Sequence, residues 1–267
     1  MTETKYLHGF TKKEQDRLIH QAQFLENWIY EGVDLKKCRN LLEVGCGVGA
    51  QSKILLKRFP KIHIDGVDFS EDQLNVANSL LKKEVGTRVE LHHQDAQKLT
   101  LNKKFDAAFL CWFLEHVPRP ELALKSVRKH LRPGAKIYCT EVFNHTLFLE
   151  PYSPSFLKYW SEFNDFQWTI KGHPFVGGQL GHLLKGAGYK KINVEFRSFH
   201  FDSRDILKRN KFVDYFFQIL LSAAPVLLQT KRVTPELIEE MKAEVLKTKS
   251  LKEGVFYYTY ARGIAEA

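Results

Sequence analysis

The stretch Asn40–Ser52 reads NLLEVGCGVGAQS, and it determines how the rest of the chain is interpreted. An apolar run is followed by three glycines spaced two apart, Gly45, Gly47 and Gly49. Glycine tolerates positive φ and lets a ligand approach the backbone, whereas a tight turn without a ligand needs only one glycine. The spacing also satisfies the loose dinucleotide fingerprint that would end at Ala50. The loop therefore predicts a nucleotide-like ligand.

The composition is that of a globular protein. The 267 residues, 44% hydrophobic and 27% charged, predict one large domain over residues 1–267 with a sizeable core. The formal net charge of +9 attracts anions such as nucleic acid or an acidic lipid. The basic residues are nevertheless scattered in ones and twos, and no RNA-binding motif accompanies them. We therefore expect no specific nucleic-acid partner.

The cysteines and the apolar runs bear on location. Cys38, Cys46, Cys111 and Cys139 show no metal-binding spacing, which predicts reduced thiols, no metal and a cytoplasmic protein. The N-terminal sequence lacks the apolar core of a signal peptide, so none is expected. The longest apolar run, Phe216–Leu228, is too short to span a bilayer. No transmembrane segment is expected, and peripheral membrane contact remains open.

Helical and strand periodicities alternate along the chain. Thr11 with Glu14, and Ser70 with Gln73, have the spacing of capping boxes. The predicted helices are one after Thr11, Gly49–Phe59, Ser70–Glu84, Glu121–Leu131, Val176–Ala187, Asp205–Leu221 and Pro235–Lys247. The predicted strands are Asn40–Val44, Ile62–Val67, Arg88–His92, Phe105–Cys111, Ala135–Val142, Asn193–Phe199 and Gly254–Arg262. This alternation predicts a parallel sheet wound by helices, with ligands at the carboxyl ends of the strands.

Acidic residues lie at the ends of three successive strands. Asp68 can accept hydrogen bonds from ribose hydroxyls, and Asp95 or the amide beside it can contact an adenine amine. Glu43, two residues before the first glycine, would repel a diphosphate and suits a cationic ligand or a water network. Each acid taken singly is equally well explained as a helix cap or a solvated loop residue. Together they favour a nucleoside ligand without a diphosphate.

These segments resemble the class I S-adenosylmethionine-dependent methyltransferases. LLEVGCGVGAQS resembles their glycine-rich first motif, GVDFSEDQL their ribose-binding strand end and HHQDAQKL their adenine-contact turn. FDAAFLCWFLEHVPRPELALKSVRKHLRPGAKIY resembles their fourth strand, the helix after it and the PG turn. The resemblance covers about Leu41–Val142. It implies S-adenosylmethionine as cofactor and a Rossmann-like, doubly wound α/β sheet of seven strands in order 3-2-1-4-5-7-6, the last antiparallel.

The resemblance also assigns residues to the site. Asp68 would hold the ribose hydroxyls, with Phe69 stacked on the adenine. Residues 1–32 resemble the lid of small-molecule members, from which Tyr6 and Gln21 would close over the methionine moiety. His116, in FLEHVPRP, is the candidate general base, with a purely structural histidine as the alternative. The implied cofactor-binding set is Tyr6, Gln21, Glu43, Gly45, Cys46, Gly47, Gly49, Asp68, Phe69, Gln73, Asp95, Ala96, Cys111 and Trp112.

The acceptor end of the site is predicted from aromatic density. Residues 143–175 hold 10 of the 34 aromatic residues and follow the fifth strand, where the family inserts substrate caps. Residues 202–250 form a second predicted cap insertion. Such a segment suits an apolar or planar acceptor, and packing on the core explains it equally well. We therefore predict methyl transfer to an O or N atom of a small apolar or aromatic molecule. The alternatives are a methyltransferase acting on RNA or protein, or a non-catalytic cofactor-binding protein; a dehydrogenase fits poorly.

Overall fold

The structure is a computed structural model, and it describes residues 11–267. Within that range strands and helices alternate as far as Glu141. The strands are β1 (Asn40–Val44), β2 (His63–Asp68), β3 (Val89–His93), β4 (Phe105–Cys111), β5 (Leu131–Val142), β6 (Phe148–Glu150), β7 (Lys190–Phe201) and β8 (Val255–Glu266). The helices are α1 (Lys12–Tyr30), α2 (Ala50–Arg58), α3 (Glu71–Leu80), α4 (Pro120–His130), α5 (Pro154–Thr169), α6 (Leu180–Gly186), α7 (Ile206–Gln229) and α8 (Pro235–Ser250).

The strands form one sheet in the order β3-β2-β1-β4-β5-β8-β6, and β7 also pairs with β8. The sheet is mostly parallel with antiparallel strands at its end, which confirms the predicted Rossmann-like α/β class. The register aligns the carboxyl ends of the central strands, since Val44 pairs with Val67 on one side and with Leu110 on the other. The loops that follow β1, β2 and β4 therefore meet at one edge of the sheet.

Three features differ from the sequence-based prediction. The sequence predicted neither a helix nor a strand between Val142 and Val176. The structure has both there: β6, which pairs antiparallel with β8, and the 16-residue helix α5. The sheet consequently has eight strands rather than seven. Helix α7 continues past the predicted end at Leu221, through Pro225 to Gln229. Pro225 lies on the exposed side of the helix, where its ring is accommodated.

The described chain divides into two compact units. The sheet unit contains residues 11–141, Val176–Glu195 and Ala261–Ala267. The helical unit contains Val142–Phe175 and Phe196–Tyr260. The predicted cap segments, residues 143–175 and 202–250, both fall in the helical unit. Their role over a substrate, and the single-domain organisation, stay predictions.

In the sheet unit the core lies between the central strands and the flanking helices. Phe105, Phe109 and Leu110 of β4 are fully buried because helices cover both faces of the strand. A strand covered in this way needs apolar side chains on both faces. Thr11 caps α1 and Ser70 caps α3 through their side-chain oxygens, as the capping boxes predict.

Arg262, on β8 within the sheet unit, fixes the end of α1. Its guanidinium donates to the carbonyl oxygens of Trp28 at 2.5 Å and Ile29 at 2.6 Å, and to that of Glu31. The last carbonyls of a helix have no partners within the helix, and they carry partial negative charge. A buried cation from the last strand therefore completes the first helix.

In the helical unit α5, α7 and α8 pack on one another. Arg209 of α7 is almost completely buried and donates to the carbonyl oxygens of Lys249, Lys252 and Gly254, 2.8–3.2 Å away. Five of the ten aromatic residues of the predicted first cap are buried in this core: Phe156, Tyr159, Trp160, Phe163 and Phe166. Others are exposed, including Phe148, Tyr152 and Trp168. Much of the aromatic density therefore serves packing.

One described helix, α7, is long and apolar enough to cross a membrane by length and composition alone. A core helix of a soluble protein passes the same test, so this is weak evidence. The exposed side of α7 carries Lys211, Asp214 and Gln218, and Asp214 pairs with Lys249 of α8 at 2.5 Å. A polar stripe of this kind is costly in hydrocarbon.

Candidate cofactor site

The loop between β1 and α2 is shaped by its three glycines. All three have positive φ, 71°, 52° and 75° in chain order. An added Cβ at Gly45 would lie 2.2 Å from Cδ2 of Phe113, and one at Gly49 would lie 2.8 Å from Cδ1 of Leu81. An added Cβ at Gly47 would meet nothing within 4 Å. Packing explains the outer two glycines, whereas Gly47 faces open space in which a ligand fits.

Asp68, at the end of β2, holds this loop from the side. Its Oδ2 accepts the backbone N–H of Gly47 at 2.8 Å, and its Oδ1 accepts that of Ser70 at 2.9 Å. Burial raises the pKa of the Asp68 carboxyl, and these N–H donors and the nearby His116 oppose the rise. Each carboxylate oxygen accepts more than one hydrogen bond. Asp68 can therefore order the glycine loop and still accept hydroxyl groups of a ligand.

Glu43 lies beneath the loop and is almost completely buried. Its Oε2 accepts the hydroxyl of Ser52 at 2.6 Å. Burial raises the pKa of the Glu43 carboxyl to about 8, and the negative charge of Asp68 adds to this rise. The hydrogen bond from Ser52 acts in the opposite direction and lowers the pKa. At neutral pH the group is therefore mostly a neutral acid. The repulsion of a diphosphate that the sequence suggests is correspondingly weak, and Glu43 mainly ties β1 to α2.

The predicted adenine-side residues lie along the ends of β2 and β3. The ring of Phe69 is 58% exposed, with its centroid 6.2 Å from that of His93. Asp95 caps the turn Ala96–Lys98 by accepting the N–H of Gln97 at 2.9 Å, and Ala96 is buried. An exposed aromatic face beside a capped turn provides a surface on which a planar ring can stack.

Gln73, in the first turn of α3, is buried, and its Oε1 has no hydrogen-bond partner among the described residues. Buried amide oxygens without a partner are unfavourable in a folded chain. An acceptor of this kind beside Ser70 and Asp68 is suited to an N–H or O–H donor of a ligand.

Cys46 and Cys111 are placed differently from each other. Cys46 faces the sheet, since a Cβ on Gly66 of β2 would lie 3.1 Å from the Cys46 Sγ. Cys111 ends β4, and its Sγ lies 3.6 Å from Nε2 of Gln51 on α2. Burial raises the pKa of both thiols, so they are neutral. The backbone of Cys46 belongs to the loop framework, since its N–H donates to the carbonyl of Val67 at 3.0 Å and its carbonyl accepts the N–H of Gly49 at 2.9 Å.

The turn after β4 carries the next predicted residues. Trp112 has a φ of 54°, and its backbone N–H donates to the backbone carbonyl of Thr140 at 2.8 Å. A bulky residue at positive φ is strained, and such strain clusters at functional sites. His116 closes the turn half-buried, with Nε2 3.5 Å from Oε1 of Glu115.

The N-terminal segment gives a partial result. Tyr6 lies outside the described residues. Gln21 is half-buried on α1, where its Oε1 accepts from Arg17 at 2.6 Å. A contact that the sequence did not indicate comes from Tyr30: its hydroxyl donates to Oε1 of Gln51 at 2.7 Å. Through Gln51, α1 is linked to Cys111.

A second polar cluster lies elsewhere on the sheet. Asp65, Glu90 and His92 place potential metal-ligand atoms within 4.8 Å of one another. Nζ of Lys103 lies 2.5 Å from Oδ2 of the buried Asp65, whose other oxygen is 2.9 Å from Nε2 of His92. The lysine ammonium therefore supplies the cation that this cluster needs.

Comparison with known proteins agrees with this arrangement. The family model described as a methyltransferase domain matches residues 42–137, which contain the glycine loop, Asp68, Asp95 and the β4 turn. This match makes residues 42–137 a methyltransferase domain of the class I S-adenosylmethionine-dependent kind. The matched range runs from within β1 to within β5 and contains most of the candidate site residues.

Individual relatives resemble the methyltransferase over most of its length. It is 29% identical over 206 residues to a demethylmenaquinone methyltransferase of Staphylococcus aureus, covering 70% of this chain and 84% of the relative. The alignment with the solved structure of the 4+2-cyclase SpnF covers 92% of this chain and 82% of the cyclase chain, at 21% identity and a TM-score of 0.57. A Haemonchus contortus phosphoethanolamine N-methyltransferase 2 with bound S-adenosylhomocysteine covers 92% of this chain and 52% of its own, at 18% identity and a TM-score of 0.56.

The residues of the methyltransferase fit S-adenosylmethionine, its cofactor. Gly47 leaves open space beside the loop, and the Asp68 carboxylate can accept hydroxyl groups. The exposed Phe69 ring offers a stacking surface, and the Gln73 side-chain oxygen is a further acceptor. Ser52, Tyr30, Gln51 and Phe113 also take part in the site framework but were not found from the sequence. Gln51, Ser52 and Phe113 lie within the quoted motifs, but their contacts with Tyr30, Glu43 and Gly45 are visible only in the folded chain.

The glycine loop provides a test that separates strain from binding. Gly47→Ala and Gly86→Ala both place a Cβ at positive φ in open space, with φ of 52° and 80°. Both variants should lose roughly 1–2 kcal/mol of unfolding free energy, because alanine resists this conformation. Only Gly47→Ala should lose cofactor affinity, by tenfold or more, in calorimetric titration. Equal affinities in the two variants would show that the ligand does not approach Gly47.

Proposed function

We propose that the methyltransferase transfers the methyl group of S-adenosylmethionine to an O or N atom of a small apolar or aromatic molecule. The observation that carries the acceptor class is the alignment over 206 residues with a relative whose name specifies demethylmenaquinone as acceptor; the O or N atom is carried over from the sequence analysis, since that name does not specify the methylated atom. Since that relative is 29% identical, the acceptor class rather than the acceptor itself is inferred. The loop, acid and turn geometry of the sheet unit supports the cofactor half of the reaction.

The protein residues contribute alignment and exclusion of water. When bound, the cofactor supplies a sulfonium-activated methyl group for in-line displacement by the acceptor. Gly47 and Asp68 hold the nucleoside side through backbone and carboxylate contacts. The Phe69 ring covers the adenine, and the orphan oxygen of Gln73 accepts from a nearby donor. These roles require only positions and charges that the sheet unit already provides.

His116 is proposed as the group that receives the acceptor's proton. It lies in the turn that follows β4, with its Nε2 3.5 Å from the Glu115 carboxylate. A hydroxyl acceptor must lose its proton during attack, whereas a neutral amine can shed it afterwards. The base role therefore applies to an oxygen acceptor, and a structural role to a nitrogen acceptor.

The acceptor is expected to meet residues of the predicted caps. The small cavity in the helical unit, lined by Leu147, Phe216 and Phe256 among others, measures only about 10 Å³. That volume holds no more than a water-sized group. This cavity is therefore too small to hold the proposed acceptor.

Methyl transfer to RNA or protein is the second candidate, because the net charge of +9 favours anionic partners. We expect radiolabelled methyl groups to enter a small-molecule extract and not purified RNA or protein. Weak RNA binding should fall steeply between roughly 50 and 200 mM salt, as neutralisation of phosphates requires. Methylation of a defined RNA at physiological salt would overturn the small-molecule proposal. Tight cofactor binding without transfer to any fraction would indicate the non-catalytic alternative.

A cytoplasmic location is proposed together with this function. All four cysteines are free thiols, as expected in a reducing compartment. A peripheral contact with a membrane is compatible with a lipophilic acceptor. Cell fractionation followed by a salt wash tests both: recovery in an oxidising compartment would contradict the location, and release by salt would identify a peripheral contact.

A further inference from the structure

Glu141, at the end of β5, is completely buried, and nothing in the proposed reaction uses it. Its Oε1 accepts two backbone N–H groups, those of Phe113 at 3.3 Å and Leu114 at 3.0 Å. Its Oε2 has no hydrogen-bond partner among the described residues. A buried carboxyl with one fully used and one unused oxygen needs an explanation.

One of the two N–H groups belongs to Leu114, the first residue of a single helical turn, Leu114–His116, and the other belongs to Phe113 just before it. The residue before that turn is Phe113, whose side chain has no oxygen and makes no capping hydrogen bond. The first N–H groups of a helical turn lack internal partners and are usually capped by a neighbouring side chain. Here the cap comes from β5, 27 residues away in sequence from Leu114.

The capped turn connects two parts of the site. On one side, the Phe113 ring lies against the glycine loop, so closely that a Cβ on Gly45 would clash with it. On the other side, the same turn ends in His116. Trp112, just before the turn, is held at positive φ, a conformation that persists only when its surroundings enforce it.

We propose that Glu141 is a positioning residue that caps the β4 turn from β5 and so fixes both Phe113 against the glycine loop and His116 in the site. The proposal rests on the proposed function only for the part of His116; the contact with the glycine loop concerns cofactor binding alone. Loss of the cap should therefore loosen the turn, lower cofactor affinity and displace the histidine.

The protonation state of Glu141 makes this cap observable. Burial raises the Glu141 pKa to about 8, opposed by the turn N–H groups and supported by the charge of Glu115. The other titratable groups whose charges interact with it are the thiols of Cys111 and Cys139, which burial keeps neutral. Arg262 acts on Cys111 from β8 and is always charged. As pH rises through about 8, Glu141 gains charge while these neighbours stay unchanged.

The test follows the backbone amide of Leu114 by NMR in the protein without cofactor. In the wild type its chemical shift should titrate with a midpoint near pH 8. Glu141→Gln keeps an oxygen for the two N–H groups but cannot ionise, so the titration should disappear while cofactor affinity stays within about threefold. Glu43→Gln removes the other buried acid that titrates near pH 8, and should leave the Leu114 titration in place.

Glu141→Ala removes the cap itself. The Leu114 amide should then exchange with solvent at least tenfold faster, and cofactor affinity should fall by tenfold or more. A Leu114 titration that persists in Glu141→Gln would overturn the proposal, as would unchanged exchange and affinity in Glu141→Ala. Should the alanine variant not fold, the glutamine variant still decides. Failure of the wild type to bind the cofactor would instead contradict the proposed function, and so the two failures are distinguishable.

Discussion

Replacing His116 with asparagine is expected to lower kcat by about 10²–10⁴-fold with a hydroxyl acceptor, the range typical for loss of a general base. The imidazole lies half-buried in the β4 turn, 3.5 Å from the Glu115 carboxylate, and asparagine cannot take up a proton there. The dissociation constant of the cofactor should change by less than threefold, because the role proposed for His116 concerns the proton of the acceptor. Steady-state kinetics and calorimetric titration measure the two quantities.

His63→Asn is the matched control for this substitution. His63 is exposed at the beginning of β2, at the opposite end of that strand from Asp68, and should tolerate the change without loss of kcat. If His116→Asn retained full turnover with a hydroxyl acceptor, the histidine would be structural. If His116→Asn kept full turnover with an amine acceptor and lost it with a hydroxyl acceptor, the natural acceptor would be placed among nitrogen nucleophiles.

Replacing Asp68 with alanine is expected to weaken cofactor binding by roughly 1.5–3 kcal/mol, or about 10–150-fold. The carboxylate has two functions that alanine removes together. It accepts the N–H groups of Gly47 and Ser70, and it offers its remaining capacity to ligand hydroxyls. Both S-adenosylmethionine and its demethylated product should lose affinity equally, because neither function involves the methyl group.

The control for Asp68 is Asp72→Ala, which removes an exposed acid from the first turn of α3. Like Asp68→Ala it removes one acidic side chain, but it breaks no contact with the glycine loop among the hydrogen bonds of the described residues. Unfolding by urea should show both variants folded. An unchanged dissociation constant in Asp68→Ala would exclude this carboxylate from the site.

The fold was largely predictable because its sheet unit follows local rules. Strands buried on both faces are apolar, helices begin at capping boxes, and glycines mark the loop after β1. The position of Asp68 followed from the same pattern. The sequence alone does not show that Glu43 is buried, and burial is what raises the pKa of its carboxyl to about 8.

Helix α5 was missed for a related reason. Its N-cap residue, Ser153, makes no side-chain capping bond, and the first N–H groups are instead accepted by Glu244 of α8 at 2.7–3.2 Å. The cap of the β4 turn likewise comes from a distant residue, Glu141. The local sequence of α5 offers only Ser153 followed by Pro154 at the first helical position, whereas the carboxylates that accept the N–H groups of both turns are distant and leave no local motif.

The hydrogen bonds from Arg262 to the end of α1 have a consequence for the order in which the chain folds during synthesis. The residues that it joins are 231–234 positions apart, so α1 emerges from the ribosome long before its partner exists. Contacts of such long range are made late and slow the search for the native state. Helix α1, which lies within the predicted lid segment of residues 1–32, therefore cannot make its contacts with Arg262 until almost all of the chain has been translated.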